Sequence, residues 1–332
     1  MNNIKLIGSW VRRFLLEYCI EERNLALNTQ ASYRDTLTLL LPFVGRKIKK
    51  SIDRISIEDI SPDLTRSFLL YLEEDRKCCI ATRNQRLAAI HALARFIGTH
   101  CPEYLDWCTR IRAIPLKKTP TPVMCYLEKT EMDAILNAPN RKTAQGSRDY
   151  ALLLLLYNTG ARASEVAQLV IRDVTFEGAT PSIRITGKAR KIRQCPLWSL
   201  TCSVLKPLVY GRLPDKRVFL NRCAQPFTRF GIYGLVKRYA AKASEQEHSL
   251  RKKEVSPHTI RHTTAVFLLR AGVDIDTIRA WLSHVSLDTT HIYAEVDLEM
   301  KTKALTHCEI LTTAPVDKQW HKRGIMDFLR AL

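Results

Sequence analysis

The chain has 332 residues, 46% of them apolar, enough for one large core or two ordinary ones. Lys and Arg number 52 against 33 Asp and Glu, so a formal charge of +19 favours a polyanionic partner. The longest apolar run, residues 151–157, is far below the roughly 20 residues that cross a bilayer, which excludes a spanning helix and predicts a soluble protein.

The start, MNNIKLIGSWVRR, has too short an apolar stretch before Arg12 and Arg13 for an export signal. The ten cysteines include an adjacent pair, Cys78 and Cys79, and no C-x-x-C spacing. They read as reduced thiols of a cytoplasmic protein. The basic residues are spread through folded-looking sequence, which favours a positive groove over a detachable arm.

In chain order, residues 4–44 read as amphipathic helices. Trp10, Phe14, Leu15 and Tyr18 form one apolar stripe, and Tyr33, Leu37, Leu40 and Leu41 a second that Pro42 and Gly45 should stop. Ser61-Pro62 opens a helix carrying Phe68, Leu69 and Leu72. Residues 82–97 form another, with Leu87, Ile90, Leu93 and Phe96 inward and an end at Gly98. Its other face carries Arg83, Arg86 and Arg95. On a lone helix that would be a solvated face; with this net charge it reads as a contact to a nucleic-acid backbone.

Between residues 111 and 124, Pro115, Lys117, Lys118, Pro120 and Pro122 break the periodicity and mark a linker. The predicted division is a helical domain over 1–112, a linker over 113–125 and a second domain over 126–332. The second half is again mostly helical, with one hairpin. Residues 182–186 alternate with period two, 187–190 supply the turn, and 191–197 return. Lys188 stands at the tip, with Arg190 and Lys191 close behind. Ser256 and Pro257 are an N-cap and a first helical residue, so His258 and Arg261 share one face of a first turn, where free N–H groups also meet an anion. HTIRH is not a zinc-protease motif, because Thr259 stands where the water-activating Glu would be. Asp274 caps a further helix, and Tyr293 follows His284 by nine residues.

Four strings, TGARASE (159–165), TGKARKIR (186–193), HTIRH (258–262) and LSHVSLDTTHIY (282–293), resemble in this order the catalytic domain of the tyrosine recombinases, the phage-integrase and Xer family. NTQASYRDTL (28–37) and TRNQRLAAIHAL (82–93) resemble, less specifically, that family's core-binding domain. The resemblance implies a mainly α fold with a small β-hairpin (α+β). An all-helical SAM-like domain would join the catalytic domain in a C-shaped clamp around duplex DNA. Two departures stand out: the family's usual Leu-Gly-His is Leu282-Ser283-His284, and Ala161 stands where Leu is commoner.

The chemistry fits the residue types. A phenol with pKa near 10 is a poor nucleophile unless cations stabilise its phenolate and the phosphorane. Guanidiniums suit that cage because each forks onto two phosphate oxygens; Arg162 and Arg261 are the candidates, with Glu165 placed to brace one. By resemblance Tyr293 is the nucleophile, Lys188 the general acid (Lys191 being its rival), His258 exchanges the phenolic proton, and His284 donates to a non-bridging oxygen. No metal or cofactor is expected. Arg83, Arg86, Arg95, Lys117, Lys118, Arg190 and Lys191 are the candidate DNA contacts. The resemblance further implies a tetramer, of one chain or with a partner recombinase, that passes through a Holliday junction. A short helix over 325–332 would dock on a neighbour or on its own domain. Two other classes compete: a type IB topoisomerase-like relaxase and a catalytically silent DNA-binding partner of a recombinase.

Overall fold

The computed structural model describes residues 5–119, 124–178, 180–187 and 191–283. It divides into two compact units, Met1–Pro122 and Val123–Leu332.

The first unit is helical throughout its regular structure. Helix α1 (Ile7–Arg13) runs on into a π-helical stretch (Phe14–Glu22), followed by α2 (Leu27–Ile48), α3 (Pro62–Glu74), α4 (Ile80–His100) and α5 (Leu105–Arg112). Its core gathers the predicted stripes: Trp10, Phe14, Leu37, Leu40, Phe68, Leu87, Ile90 and Phe96 are all buried. Phe14 stacks on Tyr33 with ring centroids 5.5 Å apart. Ser61 caps α3 by accepting the Leu64 N–H at 3.1 Å, as its sequence predicts.

Two glycines expected to end helices do not. Helix α2 continues through Pro42 and Gly45 to a left-handed Lys49, and α4 continues through Gly98. The glycines serve close approach instead. A Cβ at Gly45 would lie 2.9 Å from the Lys50 carbonyl oxygen, and one at Gly98 2.9 Å from Cβ of Cys108 on α5. Burial of Leu40, Phe43 and Val44 around Pro42 overrides the local cost of the ring.

The second unit surrounds α7 (Ala144–Thr159), whose residues 151–156 are all buried, as an all-round apolar helix requires. Around it lie α6 (Lys129–Asn137), α8 (Ala163–Gln168), α9 (Ser199–Val209), α10 (Arg229–Ala243), α11 (Pro257–Arg270) and α12 (Ile275–Leu282). Strands β1 (Val174–Thr175), β2 (Ser182–Thr186) and β3 (Ile192–Pro196) form an antiparallel sheet in that order, with Thr186 opposite Ile192 and Ser182 opposite Pro196. The predicted hairpin is thus present, with a two-residue edge strand that its sequence did not announce. Among the described residues no helix is long and apolar enough to cross a membrane.

Candidate active site

The site is built where α7 ends. Gly160 takes a left-handed conformation (φ 58°), which glycine adopts without steric cost, and turns the chain out of α7. A side chain there would collide with Leu282, since a Cβ would come within 2.5 Å of its Cδ2. The turn places Arg162 at the start of α8 with about a third of its side chain exposed.

Glu165 holds Arg162 in two ways. Its Oε2 accepts the Arg162 backbone N–H at 2.9 Å, and its Oε1 accepts Nη1 of the guanidinium at 2.8 Å. Burial alone would push the Glu165 carboxyl up. Hydrogen bonds and charge from Arg193 and Arg162 outweigh it and hold the carboxyl below the usual range. Glu165 is therefore an ionised brace, as expected from its position three residues after Arg162.

Ser256 caps α11 by accepting the Thr259 N–H at 3.2 Å, and Pro257 is its first residue. This sets His258 and Arg261 on one face. Arg261 is buried; its Nη1 donates to the Gly160 carbonyl at 2.6 Å and its Nη2 to the Leu282 carbonyl. It thus ties together the turn that carries Arg162 and the end of α12. Arg162 and His258 line one cavity of about 290 Å³, together with Arg229, Phe230 and Tyr233 from α10. Surrounding protein, then the charges of Arg261 and Arg162, lower the His258 pKa below the ordinary histidine value. A neutral imidazole at physiological pH can accept a proton. His262 packs edge-on against His258 with centroids 4.5 Å apart, and burial pushes its pKa down to about 4.

The described residues therefore bring together Arg162, Glu165, His258 and Arg261. Lys188, Arg190, His284, Tyr293 and the 325–332 helix lie outside the described residues. Lys191 is exposed at the base of the hairpin, where its carbonyl accepts the Gly187 N–H at 2.7 Å. Of the rival phenols, Tyr150 is buried, and burial pushes the Tyr157 hydroxyl up to about 12. The Tyr157 phenol is therefore held away from the phenolate, and Tyr150 is a residue of the core.

Among the predicted DNA contacts, Arg83 is not on an open face. Its spacing turns it onto the segment that follows α5, where Nη1 reaches the Pro115 carbonyl at 3.1 Å and Asn84 Oδ1 at 2.9 Å, with Glu73 3.5 Å away. Lys117 joins the same cluster, its Nζ lying 2.7 Å from Glu73. Arg86 is half-buried, whereas Arg95 and Lys118 are exposed.

Sequence reasoning missed Arg193, the buried partner of Glu165. The signal was there in the phase of β3: Arg193 and Cys195 point inward while Ile192 and Gln194 point out. An arginine on the core side of a strand needs a buried acid. The α10 residues beside Arg162 were also missed, because Phe230 and Tyr233 carry no sequence pattern beyond an ordinary helix.

A mainly helical chain with a helical first unit, and an arginine–histidine cluster at a helix-end turn in the second, is the arrangement expected of an integrase-class protein. Comparison with known proteins agrees. The profile described as "Phage integrase family" matches residues 125–300, and that for "Phage integrase, N-terminal SAM-like domain" matches 12–98. The chain is 37% identical over 294 residues to the y4rC protein of Sinorhizobium fredii, covering 88% of each. It is 33% identical to the tyrosine recombinase XerC of Roseiflexus sp., covering 85% of this chain and 88% of that one. A XerH site-specific recombinase bound to palindromic difH substrate superposes with a TM-score of 0.62 at 22% identity, over 88% of this chain and 83% of that one. The Tn1549 transposon integrase in complex with a circular intermediate DNA does so with 0.66 at 16% identity, over 90% and 99%. The chain belongs to the phage integrase family. It is a DNA breaking and rejoining enzyme, a tyrosine recombinase.

Proposed function

We propose that this recombinase cuts each strand with Tyr293. The phenolic oxygen attacks the scissile phosphorus and its proton passes to His258. The 5′ oxygen leaves with a proton from Lys188, yielding a 3′-phosphotyrosyl bond and a free 5′ hydroxyl. That hydroxyl then gives up its proton to Lys188 and attacks the phosphotyrosyl phosphorus of the partner strand. The displaced tyrosyl oxygen takes its proton back from His258. One phosphodiester replaces another, so bond energy is kept and no nucleotide is consumed. Arg162 and Arg261 supply the positive cage, and His284 donates to a non-bridging oxygen. Arg261 donates one bond from each Nη to a carbonyl, and a guanidinium has five N–H donors, so those bonds are compatible with a grip on phosphate. The observation that carries this reading is the shared cavity of Arg162 and His258, with Arg261 bonded to Gly160 two residues before Arg162.

The substrate in this proposal is duplex DNA, bound by a core-binding domain over 1–112 and a catalytic domain over 126–332 joined by 113–125. Four protomers hold two duplexes and pass through a Holliday junction in the cytoplasm, in the service of a mobile element or an Xer-like system. The test is covalent trapping on a pool of nicked duplexes with randomised sequence, recovered as detergent-resistant adducts. Wild-type protein should select a discrete sequence and Tyr293→Phe should trap nothing. Equal trapping by Tyr293→Phe, or no adduct with the wild type, would overturn the proposal.

A further inference from the structure

The buried pair Arg193 and Glu165 exchanges no proton in the reaction just described, where Glu165 enters only as the brace of Arg162. The Arg193 side chain is 5% exposed and that of Glu165 4%, and Nη2 meets Oε2 at 2.7 Å. The same carboxylate holds Arg162 through both its backbone and its guanidinium. It also lies against the base of the hairpin. A Cβ on Gly187 would come within 3.1 Å of Glu165 Oε1 and 3.6 Å of Arg193 Nη1. One buried anion thus touches three things: the turn that carries Arg162, strand β3, and the residue before Lys188.

Stability alone does not explain such a pair. Two apolar side chains of similar volume often do as well or better, because burying both charges costs more than their attraction returns. Here the Arg193 Nε and Nη1 atoms also lack a hydrogen-bond acceptor among the described residues. What the pair provides is geometry.

We propose that Arg193 is a positioning residue for strand cleavage: through Glu165 it fixes the Arg162 guanidinium relative to the base of the lysine hairpin. This rests on the recombinase reading of the site. The groups facing Glu165 are Arg162, Arg193 and the Cys195 thiol, which burial keeps protonated, with Arg261 of α11 charging the same region. Arg229 and Tyr233 of α10 lie beyond Arg162 along the cavity. Without Arg193, burial acts on Glu165 with less opposition and its pKa rises. The carboxyl then protonates at a higher pH and lets go of Arg162.

The test is single-turnover cleavage across pH, on a nicked duplex that the wild-type enzyme traps covalently. If the wild type traps none, the recombinase reading has failed, separately from this proposal. Arg193→Met should lose about a hundredfold in rate, the scale of a misplaced catalytic group, with its acid limb displaced to higher pH than in wild type. Adding Glu165→Gln to that variant should remove the displaced limb, an outcome a purely structural role would not produce. Arg193→Lys keeps a buried cation and is expected to fold; it should retain most of the rate with a smaller displacement. Wild-type rate and an unshifted limb in Arg193→Met would overturn the proposal. So would an unshifted limb in Arg193→Lys should the Met variant not fold, or a displaced limb that survives Gln at 165.

Discussion

Arg261 donates to the carbonyl of Gly160 at 2.6 Å, joining positions 101 residues apart at the one point where α7 hands the chain to Arg162. The bond exists because Gly160 is left-handed and leaves room for Leu282. Gly160→Ala should therefore destabilise the protein by about 2–4 kcal/mol, from the left-handed backbone and the collision together. Chemical denaturation of the two proteins checks this; an unchanged midpoint would remove the glycine from the account.

Ser283 presents the opposite case. It closes α12 at φ 50°, ψ 52°, a conformation that costs a residue with a Cβ and suits glycine. The family's usual Leu-Gly-His has glycine here. Ser283→Gly should raise stability by about 1 kcal/mol, read as a higher melting temperature.

The two histidines of α11 predict pH behaviour of two kinds. The His258 pKa is depressed, so the imidazole is neutral at physiological pH and cleavage should fall only as pH drops through a value below 6.5. For His262, depressed from 6.5 to about 4, the unfolded chain binds the extra proton first. Stability is then full above about 6.5 and declines as pH falls towards 4. His262→Gln should flatten that decline, as measured by denaturation midpoints across the range.

Arg83 and Arg95 stand on the same helix and should behave differently. Arg83→Ala strips a buried cluster of its cation and leaves the Pro115 carbonyl without it, at a cost of about 2 kcal/mol. Arg95→Ala should leave stability unchanged. It should weaken duplex binding and reduce the slope of log affinity against log salt by about one. Filter binding over a salt series and thermal melts separate the two.

Much of this molecule was legible in the residues. Ser61, Ser256 and Asp274 announced their helices, because capping is local chemistry that needs no tertiary partner. Arg162, Glu165, His258 and Arg261 were singled out because their short strings resemble the family's boxes, while the end of α7 and the Ser256 cap fix where they stand. Gly45 and Gly98 misled, because close packing against Lys50 and Cys108 leaves the same mark on a sequence as a helix stop. Arg83 misled because helical spacing tells which residues share a face, not whether a later segment covers it. The phase of β3 marked Arg193 as inward, but its partner Glu165 lies 28 residues away on α8, and only the fold brings the two together.

In the proposed reaction a single phenol carries the DNA. The most direct measurement is mass spectrometry of the nuclease-trimmed covalent adduct after proteolysis. The expected product is a nucleotide-bearing peptide modified at Tyr293. A nucleotide on Tyr150, Tyr157, a serine or any other residue would contradict it.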